Sequence, residues 1–298
     1  MRHTPTSPRN VSIAGLISLL VLFAAGPAVG GAPQAPVGLG AADSYAVLAG
    51  ETITNTGATV ITGDVGLHPG TATPGLTAEM VSGEIHVDDA EALAAKNALV
   101  TAYNDAAGRT PATAIATELG GQILTGGVYS AGAFGITGTL TLDGENNPDT
   151  VFIFQMESTL TTAVGSSVVL INNAQACNVY WQVGSSADLF SNTTFIGTIL
   201  ALTSINLQNG ASIEGRALAR NGEVTMDTNT ITRATCSSPT NGGTTTTTLT
   251  TPVGGVGTGG GSTSGAQSMI LVLAGFSLLA VAVGVFEVRR RLQDRRSG

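Results

Sequence analysis

The sequence contains few of the side chains that carry out enzymatic chemistry. Between residues 31 and 236 the histidines are His68 and His86, and the chain has no G-x-S-x-G or H-E-x-x-H sequence that would supply a nucleophile or a zinc site. A hydrolase or a lyase needs acid, base or metal groups that converge on one point. The chain is therefore predicted not to be an enzyme.

One short segment is rich in the oxygen ligands that calcium prefers. Asp143, Glu145, Asn146, Asn147 and Asp149 follow one another closely, and together they could hold a calcium ion. Their spacing matches no defined calcium loop, and Asn, Asp and Gly also favour turns without a metal. The segment is therefore predicted to be a corner turn, with no metal and no cofactor.

Two further patterns bear on ligands and covalent links. Residues 255–260 fit G-x-G-x-x-G, but no strand is predicted before them and no helix or βαβ unit around them, so a phosphate-binding loop is not predicted. Cys177 and Cys236 are the two cysteines of the chain. If the chain is exported, a single disulfide between them is expected.

Composition and charge exclude several classes of protein. Charged residues make up 11% of the chain and aromatic residues 4%, which argues against a coiled coil or a helical bundle. The formal net charge is −8, and seven of the twelve Lys and Arg residues lie within the first nine and the last ten residues. Nucleic acid is therefore not an expected partner.

The two ends of the chain have the patterns of export and membrane anchoring. Residues 1–30 contain an apolar run after two arginines and are predicted to be a removed signal peptide, although a first membrane span is the alternative. Residues 237–267 are rich in Thr and Gly and are predicted to be a flexible stalk. Residues 268–288 are predicted to be a transmembrane helix, and the basic segment 289–298 to be a cytoplasmic tail. These predictions give a single-pass membrane protein with an extracellular middle.

The middle of the chain is a series of short apolar segments separated by Gly, Asn and Ser. Five of them begin at Val128, Val151, Val179, Thr198 and Arg216, with spacings of 23, 28, 19 and 18 residues. The last two spacings suit one coil of a three-sided solenoid with strands of about five residues. The pattern therefore predicts a mainly β fold of stacked coils.

Two kinds of strand recur within each coil. In the second segment of each unit, Leu160, Ile205 and Val224 alternate with polar neighbours, as expected of a half-buried strand. The first segment, as in 151–154 and 199–202, is apolar at every position. Both surfaces of that side must be covered, so another element is expected to pack against it.

One clear helix is predicted, over about residues 88–107. Asp88 and Glu91 form a start that resembles a capping box, and Gly108 is expected to end the helix. One stripe consists of small and apolar residues: Ala92, Ala95, Leu99, Ala102, Tyr103 and Ala106. The helix is therefore predicted to pack along one side of the solenoid.

Residues 39–236 resemble the ice-binding (antifreeze) protein family, whose fold is an irregular right-handed β-solenoid with one flanking helix. The resemblance rests on five stretches in order around the helix: 39–49, 61–66, 149–155, 179–184 and 215–220. It implies that residues 31–236 form one solenoid domain, with the strands before the helix completing it.

The resemblance also implies that ice binds a flat side formed by the second strand of each coil. Threading the sequence onto that side gives these candidate ice-binding residues: Thr52, Thr54, Thr137, Thr159, Thr161, Ser204, Asn206 and Thr225. Stacked strands would hold such side chains in a rigid lattice that can order water. The same threading puts Asp188, Phe190 and Glu223 on this side, where they depart from a flat hydroxyl surface.

Two alternatives stay open at this point. Thr also fits any half-buried strand, and Thr139 and Thr141 belong to a third side that is the second candidate surface. The predicted function is ice binding at the cell surface, which would inhibit ice growth or recrystallisation. The alternative is a membrane-anchored adhesin or structural solenoid that binds glycan or protein. The domain is expected to be monomeric.

Overall fold

The structure is a computed structural model and describes residues 34–237. The predicted signal peptide, membrane helix and basic tail lie outside these residues, as does the predicted stalk after Ser237. No helix within residues 34–237 is long and apolar enough to cross a membrane.

The described residues form twenty short strands, one α-helix and three one-turn 3-10 helices. The α-helix, α1, is Ala90–Gly108. The strands are β1 (Tyr45–Ala49), β2 (Ile53–Thr56), β3 (Val60–Thr62), β4 (Asp64–Leu67), β5 (Ile85–Val87), β6 (Thr113–Ala114), β7 (Ile123–Leu124), β8 (Gly127–Ala131), β9 (Phe134–Ile136), β10 (Thr139–Asp143), β11 (Phe152–Met156), β12 (Leu160–Thr162), β13 (Ser167–Ile171), β14 (Val179–Val183), β15 (Ala187–Leu189), β16 (Thr194–Ala201), β17 (Ile205–Leu207), β18 (Ser212–Ala219), β19 (Val224–Asp227) and β20 (Thr230–Thr232). The 3-10 helices are Gly40–Ala42, Ala78–Met80 and Ala176–Asn178.

The strands stack in parallel and form the three sides of a solenoid. Side 1 has the order β5-β4-β1-β18-β16-β14-β11-β8-β6, and side 2 has the order β2-β19-β17-β15-β12-β9. Side 3 runs β3-β20-β18-β16-β13-β10-β7. Strands β16 and β18 each begin on side 3 and end on side 1, with Gly197 and Gly215 at the bend. A Cβ on Gly215 would lie 1.9 Å from the carbonyl oxygen of Gly197, so the coils can stack this closely only with glycine there.

The prediction of a mainly β solenoid with one packed helix is confirmed in this form, and the right-handed sense of the coil stays a prediction. The strands before the helix complete the solenoid, as expected. β1 inserts between β4 and β18, and β2 pairs with β19. The guanidinium of Arg216 in β18 is nearly buried and donates to the Asp43 carboxylate at 2.7 Å and to its carbonyl oxygen at 2.9 Å. This contact ties the entry to β1 onto the C-terminal coils.

The interior of the solenoid is filled by the inward residues of all three sides. Its centre contains an aromatic stack in which the rings of Phe154 and Trp181 lie 4.0 Å apart and 10° from parallel. Tyr129 and Phe195 extend the stack on either side. The indole nitrogen of Trp181 donates to the carbonyl oxygen of Ile196 at 3.0 Å, so the buried polar atom of the ring is satisfied.

Helix α1 covers side 1, which explains why the strands of that side are apolar on both surfaces. Its predicted stripe is buried, from Ala92 to Ala106, and packs against outward residues of side 1 such as Ile153 and Leu200. Nineteen residues make a helix of about 28 Å, or about six strand spacings. Carbonyl groups at the C-terminal end of the helix accept hydrogen bonds from β11. The side-chain amide of Gln155 donates to the carbonyl oxygens of residues 106, 107 and 109.

The predicted helix start was wrong by one residue. The N-cap is Asp89, whose carboxylate accepts a hydrogen bond from the Ala92 amide at 2.8 Å. Asp88 lies outside the helix with a φ of +52°, and its carboxylate contacts His68 at 2.9 Å. Either aspartate could cap the helix by its sequence position. Asp88 contacts His68 of the preceding coil instead, so Asp89 is the N-cap.

The buried stripe of α1 also contains a lysine. Lys96 is 7% exposed. Its ammonium group donates to the carbonyl oxygens of Ala219 at 2.6 Å and Arg220 at 2.5 Å. Burial, and secondarily the positive charge of Arg220, lower the pKa of Lys96 to about 8. The lysine attaches the helix to the end of β18 at the cost of a buried charge.

This burial predicts that the domain becomes more stable as the pH rises above 8. Between the folded pKa of about 8 and the ordinary lysine value, the unfolded chain binds more protons, so the free energy of unfolding is expected to increase by about 2 kcal/mol from pH 8 to pH 10. Burial raises the pKa of Tyr45 and Tyr180 to about 12 in the folded protein, so the stability that they contribute is lost only from about pH 10 upward, where tyrosines of the unfolded chain ionise. Urea unfolding at each pH measures the effect. The variant Lys96→Met should lose the slope, and an equal slope in both proteins would contradict the assignment.

Candidate functional site

Side 2 brings four of the predicted residues into one straight column. Parallel pairing aligns Gly135, Thr161, Asp188, Asn206, Thr225 and Thr54, one from each strand of the sheet. The inward neighbours of these residues are buried, and the column itself is half-buried. Thr54, Thr161, Asn206 and Thr225 therefore point outward together, as the threading required.

A second column lies two residues earlier in each coil. It consists of Ala133, Thr159, Ser186, Ser204, Glu223 and Thr52. The carbonyl oxygen of each member from Thr159 onward accepts a hydrogen bond from the amide of the residue that follows the preceding member. It contains the predicted Thr52, Thr159 and Ser204. Ser186 was missed, although it precedes Asp188 by the same two residues and the register alone would have found it.

Two of the hydroxyl groups in this second column also contact the neighbouring coil. Ser204 Oγ accepts from the Glu223 amide at 3.3 Å, and Ser186 Oγ accepts from the Ser204 amide at 3.3 Å. These bonds restrict both side chains, and each hydroxyl keeps its proton for a partner outside the protein. Fixed hydroxyl groups can hold first-layer water molecules in fixed positions.

The third column of side 2 contains one predicted residue, Thr137, whose hydroxyl and amide groups are hydrogen-bonded within the protein. Glu118, which forms a bridge with Gly135, accepts from the Thr137 amide at 2.8 Å and from the Thr137 hydroxyl at 3.1 Å. Partial burial opposes ionisation, but these bonds and one from the Gly120 amide lower the pKa of Glu118. Glu118 was not predicted as a site residue, because it lies outside the repeating strands. The rest of the column is Ala163, Phe190, Gln208, Asp227 and Thr56.

Charge divides side 2 into two halves. Asp188, Glu223 and Asp227 lie on or beside β15 and β19, and the Asp188 carboxylate accepts from the Asn206 amide at 3.4 Å. Phe190 is half-exposed beside them. The outward residues of β9 and β12 in the other half are small and uncharged, although the Glu118 carboxylate lies at the outer end of this half, beside Gly135 and Thr137. We call this half the neutral patch; its members are Ala133, Gly135, Thr137, Thr159, Thr161 and Ala163.

The other two sides differ in how far they are covered. Side 1 lies beneath α1. Side 3 presents Thr139 and Thr141 from β10, which pair with Ser167 and Val169 of β13. A groove of about 470 Å³ runs between the outward residues of β16, β18 and β20 and the chain segment 233–235. Of the two sides that α1 leaves uncovered, side 2 carries the larger set of predicted residues.

The remaining polar clusters have structural partners. His86 Nδ1 contacts the Asp89 carboxylate at 2.8 Å, and the other oxygen of Asp89 caps the helix; the Glu91 carboxylate lies within 4.8 Å of these atoms. In the corner after β10, the Asp143 carboxylate accepts from the Glu145 amide and the Asn172 side chain at 2.8 and 2.9 Å. These bonds account for the turn without a metal.

The disulfide between Cys177 and Cys236 is present, as predicted. It joins the corner between β13 and β14 to the chain after β20.

The described residues therefore define a class of protein: a parallel β-solenoid in which a helix covers one side and another side carries columns of outward hydroxyl groups.

Comparisons with known proteins give this class a family. Residues 47–232 match the model of the family described as Ice-binding-like. The chain is 47% identical to an ice-binding protein of Nostoc sp. (strain HG1) over 204 residues, which is 67% of this chain and 76% of that one. The crystal structure of an ice-binding protein from an Antarctic biological consortium is similar with a TM-score of 0.67 and 46% identity, covering 68% of this chain and 94% of that chain. An ice-binding protein of the Antarctic ascomycete Antarctomyces psychrotrophicus is similar with a TM-score of 0.63 and 38% identity, over 67% and 99% of the two chains.

The chain belongs to the Ice-binding-like family.

Proposed function

We propose that this protein binds ice through side 2. The observation that carries the proposal is the parallel register of six strands, which places two hydroxyl-bearing columns side by side on an uncovered sheet. Neighbouring strands are about 4.8 Å apart and alternate residues of one strand about 6.7 Å apart. Threonine suits such a lattice, because its restricted rotamer presents a methyl group beside a hydroxyl. The relatives named as ice-binding proteins support the same function.

The neutral patch is proposed as the centre of contact. A carboxylate holds its own water shell, and removing that shell costs free energy that a threonine does not incur. Asp188 and Glu223 therefore weaken contact in the other half of side 2. The eight residues chosen from the sequence stay candidates, with Thr159 the strongest because its neighbours in the column, Ala133 and Ser186, are small and uncharged.

Export and display at the cell surface belong to this proposal as well. The segments at 1–30 and 268–288 have the patterns of a signal peptide and a membrane helix, and a disulfide is typical of exported proteins. Such a protein would hold a cell on ice or restrain the growth of crystals beside it. An adhesin that binds glycan or protein is the alternative.

Residues 31–240 provide the direct test. Thermal hysteresis and inhibition of ice recrystallisation are measured on this purified fragment, after circular dichroism has confirmed a β-rich fold. Activity in either assay at micromolar concentration is expected. A folded fragment that is inactive in both would remove ice binding and favour the adhesin.

The charged half of side 2 allows a gain-of-function prediction. Glu223→Thr extends the hydroxyl column and removes an exposed carboxylate, so the concentration needed to inhibit recrystallisation is expected to fall about twofold to threefold. Glu214→Thr is the matched control, because Glu214 is an exposed outward residue of side 3 and the charge change is identical. An equal gain in both variants would show that net charge, and not side 2, causes the effect.

A further inference from the structure

The last five described residues, 233–237, form a segment that we call the strap. After β20 the chain has reached the end of side 3, and the next place on side 1 is already filled by β1, which pairs with β18. No further coil can begin there. The strap instead turns back along the edge between sides 3 and 1, past β18 and β16.

The beginning of the strap is held at this edge. The Arg233 amide donates to the Thr62 carbonyl oxygen at 2.9 Å, and its guanidinium lies 3.6 Å from the Asp43 carboxylate. Thr62 ends β3 on side 3, and Asp43 precedes β1 on side 1. Ala234 is buried at 5% exposure among the core residues.

The far end of the strap is held at the same edge, three coils away. Cys236 is bonded to Cys177 in the corner between β13 and β14. The Ser237 amide donates to Gln175 Oε1 at 2.6 Å, and Gln175 Nε2 donates back to the Ser237 carbonyl oxygen at 3.2 Å. Three strand spacings are about 14 Å, and four extended residues reach about 13 Å. The strap is therefore close to fully extended between its two attachments.

This edge is the one that does not border side 2. Each coil visits sides 1, 2 and 3 in turn, so in cross-section the edge between sides 3 and 1 lies opposite side 2. With sides of about five residues, the edge is roughly 14 Å from the plane of side 2. The other end of the described chain also avoids side 2, because Arg109 after α1 donates to the Ala35 carbonyl oxygen at 2.9 Å.

We propose that the strap fixes the place where the chain leaves the domain: whatever follows Ser237 begins at the edge opposite side 2, so the point of attachment does not obstruct the surface that is proposed to meet ice. The nature of the surface met by side 2 rests on the proposed function, whereas the placement of the exit does not. A chain held by its C-terminus can then lie flat on a crystal without its own tether crossing the contact.

The test places a bulky protein at two positions of the full chain in mild detergent. A p-azidophenylalanine at Ser237 or at Val164 is coupled to biotin and then to streptavidin, which leaves the disulfide untouched. Val164 is the matched control, since it is 66% exposed at the turn from side 2 to side 3. Both chains also contain Thr161→Cys, whose thiol reports the access to side 2 through its rate of labelling by a maleimide dye.

Streptavidin on residue 237 is expected to change the labelling rate by less than about twofold, and streptavidin on residue 164 to slow it at least about fivefold, because a bound protein covers on the order of 800 Å². Equal slowing from both positions would overturn the proposal. Recrystallisation inhibition is measured on the same two azidophenylalanine chains with Thr161 left unchanged. If labelling behaves as expected but the chains without streptavidin do not inhibit, the proposed function fails while the placement of the exit stands. If they inhibit, activity should survive streptavidin on residue 237 alone.

Discussion

Replacing Thr159 with tyrosine is expected to reduce thermal hysteresis and recrystallisation inhibition at least about tenfold, because a protruding ring separates two flat surfaces and forfeits their short-range contacts. Thr159 lies in the neutral patch, between Ala133 and Ser186 of its column. The side chain is outward and half-exposed, so the fold should tolerate the larger residue. The loss would therefore report contact with ice and not unfolding.

The comparison that assigns the face uses three variants at equal concentration. Ser204→Tyr tests the same column two coils further along, and Thr139→Tyr adds the same ring to an exposed threonine of side 3. Thr139→Tyr is expected to retain activity. If it is inactive while Thr159→Tyr is active, side 3 is the ice-binding surface and the choice of side 2 is wrong. Thermal melting of each variant confirms that the fold is unchanged.

Removing the disulfide is expected to lower the free energy of unfolding by about 4 kcal/mol, on the chain-entropy model for the loop that it closes. Cys177 and Cys236 are 59 residues apart in sequence, and the loop includes the last coils of the solenoid. Without the bond, the strap is held only by the contacts of Arg233, the burial of Ala234 and the Gln175 contacts of Ser237. The greater entropy of the unfolded chain and the looser strap both lower the free energy of unfolding.

Denaturant unfolding of the Cys177→Ser, Cys236→Ser double variant measures this loss. The parent protein in reducing agent is the matched control, since it loses the bond but keeps both side chains, and the two should agree within about 1 kcal/mol if the covalent link carries the effect. A loss below about 1 kcal/mol in both would show that contacts alone hold the strap. Ice activity of the folded fraction should persist, because side 2 is on the opposite side of the molecule.

The fold was largely predictable, because its main signals are local and repeated. The alternation around Leu160, Ile205 and Val224 assigned inward and outward residues correctly, since a strand has a period of two. The apolar strands of side 1 correctly predicted that another element packs against them, and the alanine-rich stripe of α1 is that element. Lys96 was not anticipated within that buried stripe, because its partners are two carbonyl oxygens more than a hundred residues away in sequence.

The candidate site was predictable in part. Residues in regular strands, such as Thr161 and Thr225, were placed correctly, because the register of one coil follows from that of the next. Glu118 was missed, since it reaches the site through a single bridge outside the repeat. Its bonds to Thr137 make that threonine a poorer candidate than its residue type suggested.

The sequence by itself determined the coiled β fold, the covering helix and the side chains that face outward, because periodicity and residue size act locally in every coil. It also implied the family and the disulfide. The tertiary structure decided which outward residues are free. Thr137 is bonded to the Glu118 carboxylate, and the strap leaves from the edge opposite side 2. These features depend on contacts between distant segments, whose positions are set by the packing of the whole solenoid and have no local signature in the sequence.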